Sequence, residues 1–97
     1  MAIYATTYVY VADSTEARDA TRPEHRAYLA ELTDAGRLVV SGPYVGDPAS
    51  ALLVFDAASE QEARDLTTAD PFVREGLVAE VIVREWTIAS GRLSSQF

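Results

Sequence analysis

The chain of 97 residues contains no cysteine and no lysine. Without a thiol there is no disulfide, thiolate nucleophile, iron–sulfur cluster or cysteine-type zinc site. Without a lysine ammonium there is no Schiff-base chemistry. A single histidine falls short of a conventional zinc site. No P-loop, dinucleotide-binding glycine fingerprint or serine nucleophile elbow occurs. Carboxylates are plentiful, but none is spaced as a metal-binding loop. The expectation is no metal and no cofactor, which leaves cofactor-free chemistry.

Positive charge is also scarce. Eight basic residues, all arginine, face fifteen Asp and Glu, for a net charge of −7. A chain this acidic repels phosphate backbones and anionic lipid, so neither nucleic acid nor a membrane surface is expected as a partner. No apolar run approaches the roughly 20 residues that span a bilayer. The opening MAIYATTYVY lacks the basic region of a signal peptide, so a cytoplasmic location is expected.

What is present is an ordinary globular composition, 48% hydrophobic and 24% charged. The length allows one domain, read here as residues 1–87 with a tail over 88–97. A core of this size is marginal on its own, so good packing or self-association must compensate.

Ile3 to Val11 is rich in Tyr, Thr and Val and reads as a strand. One face carries Ile3, Ala5, Thr7, Val9 and Val11, and the other Tyr4, Thr6, Tyr8 and Tyr10. A polar stretch, Asp13 to Thr21, breaks the pattern, and Arg22-Pro23 opens a helix with proline in its first turn. That helix runs to about Ala35, with Gly36 as its stop. Strands follow at Arg37–Ser41 and Ala51–Phe55, separated by a loop over 42–50 rich in Gly, Pro and Asp. Ser59-Glu60-Gln61-Glu62 is a capping box that opens a second helix with Ala63, Leu66 and Thr67 inward. Asp70-Pro71-Phe72 interrupts it, and Leu77 to Trp86 is the last strand.

The order β-α-β-β-α-β predicts an α+β, ferredoxin-like antiparallel sheet with both helices on one face. The strands are apolar on both faces, Leu53 and Phe55 opposing Leu52 and Val54, Val81 and Val83 opposing Ile82 and Trp86. A second apolar face needs a cover, and another copy of the same sheet is the simplest one. The prediction is a homodimer forming a dimeric α+β barrel.

Among chemistry-bearing residues, His25 shares a helix face with Tyr28, Leu29 and Leu32. An inward imidazole is either a satisfied core group or a general acid/base. Asp70 is its candidate partner, because a carboxylate on one ring nitrogen fixes the tautomer and raises the basicity of the other. Asp before Pro is equally a helix cap, and one carboxylate has oxygens for both roles. Ser41 is a candidate donor to a substrate oxygen, or simply turn chemistry. Tyr4, Tyr8 and Tyr10, on one strand face, either line an aromatic-ligand pocket or pack across strands. Arg22 is either a carboxylate ligand or a solvated charge.

Taken in order, Arg22-Pro23-Glu24-His25-Arg26-Ala27-Tyr28-Leu29 with Gly36, Ser41-Gly42-Pro43, Asp70-Pro71-Phe72 with Gly76-Leu77-Val78, and Trp86 resemble the YciI-like (YCII-related) proteins over roughly residues 1–87. That resemblance implies a ferredoxin-like subunit of a dimeric α+β barrel, related in fold to muconolactone isomerase. It also implies a His–Asp pair in a cleft, falling on His25 and Asp70, with Ser41 matching a serine discussed for the family site. The chemistry it implies is proton-transfer elimination without a cofactor, as in dehydrochlorination of a chlorinated hydroxyhydroquinone. The Tyr-rich first strand and the segment beyond Trp86 are not family-defining.

The leading expectation is a lyase or isomerase acting on a cyclic or aromatic oxygenated small molecule. In it His25 moves the proton, Asp70 orients it, and Ser41, Tyr4, Tyr8 and Arg22 bind substrate. The alternatives are a non-catalytic small-molecule-binding or dimeric interaction module and, more remotely, a cofactor-free oxygenase.

Overall fold

The computed structural model describes residues 2–96. Its elements are β1 (Ala2–Tyr10), α1 (Thr15–Asp34), β2 (Leu38–Pro43), β3 (Ser50–Ala57), α2 (Glu60–Thr68), α3 (Pro71–Arg74) and β4 (Val78–Glu85), followed by a short 3-10 turn at Ser94–Gln96. The four strands form one antiparallel sheet in the order β2-β3-β1-β4. This is the ferredoxin-like α+β arrangement that the sequence pattern predicts.

The alternation in β1 decides which face meets the helices. Tyr4, Thr6 and Tyr8 are buried while their neighbours are only partly so. Registered against them on the same face are Leu53 and Phe55 of β3 and Val83 of β4. With Leu32 of α1, Leu38 of β2 and Ala63 of α2 they make the core. Both long connections return across this face, as right-handed crossovers require.

Three elements differ from the sequence expectation by more than one residue at an end. The first helix begins at Thr15 rather than Arg22, and Pro23 lies inside it. An interior proline removes one hydrogen bond and typically costs ~3 kcal/mol. Here Glu16, Ala17, Arg18 and Ala20 are strong helix formers that carry the helix past it. Its start is pinned as well: the buried Ser14 hydroxyl donates to the Val11 carbonyl at 2.6 Å and accepts from Arg18 Nε at 3.0 Å. The second difference is β2, which continues through Gly42 to Pro43, paired with Ala51. An edge strand tolerates proline because one side of it needs no donor. The third is β3, which extends at both ends to Ser50 and Ala57. Gly36 and Gly76 close α1 and α3 with φ of +76° and +73°, a backbone conformation glycine adopts without steric penalty.

The opposite face is also apolar, and less well covered. Val40 is 60% exposed, Trp86 47% and Ile82 40%. Ile88 and Leu93, from the segment after β4, share the lining of a hollow of about 270 Å³ with Val39, Val40 and Val54. Val54 is buried there, although it faces away from the helices.

Core packing gives a first prediction. Phe55→Ala, at a fully buried position, should lower stability by about 3–5 kcal/mol in denaturant unfolding. Val45→Ala, on a fully exposed loop position, should change it by less than about 0.5 kcal/mol.

Candidate active site

A cavity of about 320 Å³ opens between α1, β2 and the α2–α3 junction. Each element contributes at a defined position. The α1 spacing places Arg18, Arg22, His25, Arg26 and Leu29 along one side of it. Ser41, Gly42 and Pro43 of β2 form the facing edge, and Ala51 and Leu53 of β3 form the floor. Tyr10 from the end of β1 and Phe72 from α3 close it with aromatic rings.

Behind this wall lies Asp70, fully buried. A carboxylate removed from water has to be satisfied by hydrogen-bond donors, and three meet here. Asp70 Oδ1 accepts from the Phe72 backbone N–H at 2.9 Å and lies 2.8 Å from His25 Nδ1. Its Oδ2 accepts from the Tyr8 hydroxyl at 2.9 Å. Cap and histidine partner are thus the same carboxylate: Asp70 is the N-cap of α3, with Pro71 at the first helical position.

An ionised carboxylate only accepts, so Nδ1 of His25 carries the shared proton. That leaves Nε2 as the ring nitrogen without a protein partner among the described residues, on a side chain that is 12% exposed and lines the cavity. The Phe72 ring stacks on the imidazole, centroids 3.9 Å apart and planes 6° from parallel. The same short helix that Asp70 caps therefore also clamps the His25 ring in plane. Tyr10 meets Phe72 edge-on at 5.7 Å, and the Arg18 guanidinium lies 4.5 Å over the Tyr10 ring.

The structure places the other candidates unequally. Ser41 and Arg22 line the cavity with His25. Tyr8 and Tyr4 do not: both are buried under the helices, and the Tyr8 hydroxyl is spent on Asp70. Period-2 alternation puts these phenols on the helix side of the sheet but gives no distance to the pocket. Tyr8 is instead a positioning residue for the carboxylate. Of the three phenols on that strand face only Tyr10 lines the cavity, and the residues the sequence reading did not single out are Arg18, Arg26 and Phe72. Phe72 was visible as the residue after Asp70-Pro71, and Arg18 and Arg26 as the four-residue neighbours of Arg22 once α1 is known to start at Thr15.

Burial, followed by the adjacent Asp70 charge and hydrogen bond, drives the Tyr8 phenol far above its ordinary 10.0. Burial likewise raises Tyr10 and Tyr28, the latter donating to the Leu66 carbonyl at 2.6 Å. A folded-state pKa above the unfolded one contributes stability that is present below pH ~10 and lost as pH rises past it. Tyr8→Phe leaves Asp70 Oδ2 short of a donor and should cost about 1–3 kcal/mol near neutral pH. It should also make the alkaline loss of stability above pH ~10 shallower than in the wild type, as read by denaturant unfolding across pH.

Comparison with known proteins shows the family and the fold. A family model for the YCII-related domain matches residues 2–87. Protein YciI of Escherichia coli O6:H1 is 35% identical over 82 residues, covering 75% of this chain and 84% of its own length, and Protein YciI of Shigella flexneri matches equally. Among solved structures, 5-chloro-2-hydroxyhydroquinone dehydrochlorinase (TftG) from Burkholderia phenoliruptrix, in complex with 2,5-dihydroxybenzoquinone, superposes with a TM-score of 0.81. It is 25% identical, and the match covers 90% of this chain and 95% of that one. An uncharacterized NIPSNAP domain protein from Burkholderia xenovorans shares the fold, with a TM-score of 0.56 at 13% identity over 93% of this chain and 96% of its own. The chain belongs to the YCII-related family.

Proposed function

We propose that the protein is a small-molecule enzyme that performs a lyase- or isomerase-type proton transfer on a cyclic or aromatic oxygenated substrate, without a cofactor. The observation that carries this is the Asp70–His25 hydrogen bond of 2.8 Å, which leaves the second imidazole nitrogen of a cavity-lining histidine as a base. The similarity to a dehydrochlorinase that acts on a chlorinated hydroxyhydroquinone supports the elimination form of the reaction.

In that form Nε2 of His25 removes a proton from the substrate. The electron pair freed from the broken C–H or, in a hydroquinone, O–H bond becomes the new π bond through the conjugated ring, and the leaving group departs with its own bonding pair. The imidazolium is stabilised by the buried Asp70 carboxylate on Nδ1. It then returns the proton to the leaving group or to solvent. Ser41 and Arg22, across the cavity from each other, hold substrate oxygens. Phe72 keeps the ring from rotating out of line. General acid/base catalysis of this kind contributes about 10²–10⁴-fold.

A second copy of the chain covers the apolar far face of the sheet in this reading. Support comes from the exposure of Val40, Ile82 and Trp86 on that face. Sedimentation of the wild type at twice the 10.5 kDa chain mass, with Ile82→Asp shifted to the single-chain mass, is the expected outcome. A monomeric wild type overturns it.

For the chemistry, chlorinated hydroxyhydroquinones are the first substrates to assay. His25→Ala should lower turnover by about 10²–10⁴-fold with an unchanged far-ultraviolet dichroism spectrum. Asp70→Asn keeps an oxygen for Nδ1 but removes the charge, and should lower turnover within the same range. It should also shift the imidazole away from the Nδ1–H tautomer, read directly by ¹⁵N NMR because the chain has a single histidine. Full turnover in His25→Ala overturns the proposal. Ligand binding without product across the panel makes the pocket a binding module.

A further inference from the structure

The charge lining the cavity is opposite to the charge of the chain. The protein carries fifteen acidic residues and a net charge of −7, yet no Asp or Glu lines this cavity, whereas three of the eight arginines do. Arg18, Arg22 and Arg26 recur every four residues on α1, which stacks them on one helix face over two turns. Like charges at this spacing destabilise a helix unless something compensates them.

Two of the three are compensated within the protein. Arg18 donates to Ser14 and Thr15 and lies over the Tyr10 ring. Arg22 pairs with Asp19 one turn earlier. Arg26 has no hydrogen-bond or ion-pair partner among the described residues, and it sits one position beyond His25 on the cavity rim. The adjoining surface is apolar, supplied by Leu29, Leu53 and Phe72. A site with an apolar floor and an uncommitted guanidinium at its rim matches a flat ring bearing an oxyanion, because a planar guanidinium binds carboxylate in a two-pronged fashion.

From this we infer that the substrate class is anionic: a ring compound carrying a carboxylate, with Arg26 as its specificity-determining residue and Arg22 and Arg18 extending the positive rim. The inference rests on the cavity being the substrate site proposed above, but it is read by binding alone and does not require turnover. An anionic substrate would also be concentrated at this arginine-lined rim of a chain whose net charge of −7 otherwise repels it, so capture should weaken as salt screens the field.

The test uses two probes of nearly equal shape and different charge, 2,5-dihydroxybenzoate and 2,5-dihydroxybenzamide, titrated against the full chain by calorimetry and by the His25 ring signals. The acid is expected to bind about tenfold tighter than the amide at low salt, with the gap narrowing as salt is added. Arg26→Gln, at an exposed position that leaves the core untouched, is expected to remove most of that gap by weakening the acid alone. Equal binding of the two probes, failure of the acid to bind, or a gap that Arg26→Gln leaves unchanged overturns the inference. A protein that binds the acid selectively at His25 but turns nothing over would overturn the catalytic proposal and leave this one standing.

Discussion

The buried Asp70 carboxylate is the constraint on which the site depends. It has no contact with water, so its oxygens must be satisfied by donors from the protein, and those donors come from separate parts of the chain. Tyr8 arrives from the central strand β1, His25 from α1, and the Phe72 N–H from the first turn of α3. Removing any one leaves a buried charge partly unpaired, which is costly in a low-dielectric interior. A helix of four residues has no stability of its own, so the cap that starts α3 is also what holds Phe72 against the imidazole. Local folding and site geometry are here the same set of hydrogen bonds.

Much of this was legible in the chain. Strand β1 alternates cleanly enough to assign Tyr4, Thr6 and Tyr8 to one face, and that is the face the helices cover. The α1 stripe put His25 inward, and Asp70-Pro71-Phe72 announced a capped turn. Periodicity cannot say which partner a buried group will find, however. Tyr8 and Asp70 are 62 positions apart, and only the sheet's closure on α3 brings the phenol to the carboxylate. The Arg22-Pro23 dipeptide misled for a different reason. Proline is most common in a helix's first turn, but the helix-forming residues before it and the Ser14 anchor outweigh the missing hydrogen bond. Starting the helix late put Arg18 outside it, which hid the four-residue arginine repeat.

The sheet is asymmetric in a way that separates two tasks. Its helix side is closed by a packed core and carries the cavity at one end. Its other side shows Val40, Ile82 and Trp86 to solvent, with the segment after β4 screening Val54. Gly42 and Pro43 belong to both stories, since β2 is the sheet edge and also the cavity's facing wall. An association on the far face would therefore stiffen the edge strand that positions Ser41 without touching the substrate space.

The proposed choice of His25 as base follows from the same electrostatics. If a carboxylate at the cavity surface took the proton directly, its negative charge would repel an anionic substrate and cancel the arginines around it. The structure instead keeps the Asp70 carboxylate behind the imidazole, buried and engaged by three donors, and turns the second ring nitrogen of His25 toward the cavity. In the proposed mechanism the charge that stabilises the imidazolium is thus hidden from the substrate by the very ring it assists. Arg18, Arg22 and Arg26 can then set a positive rim on a chain of net charge −7, and basicity and anion capture no longer compete for the same surface.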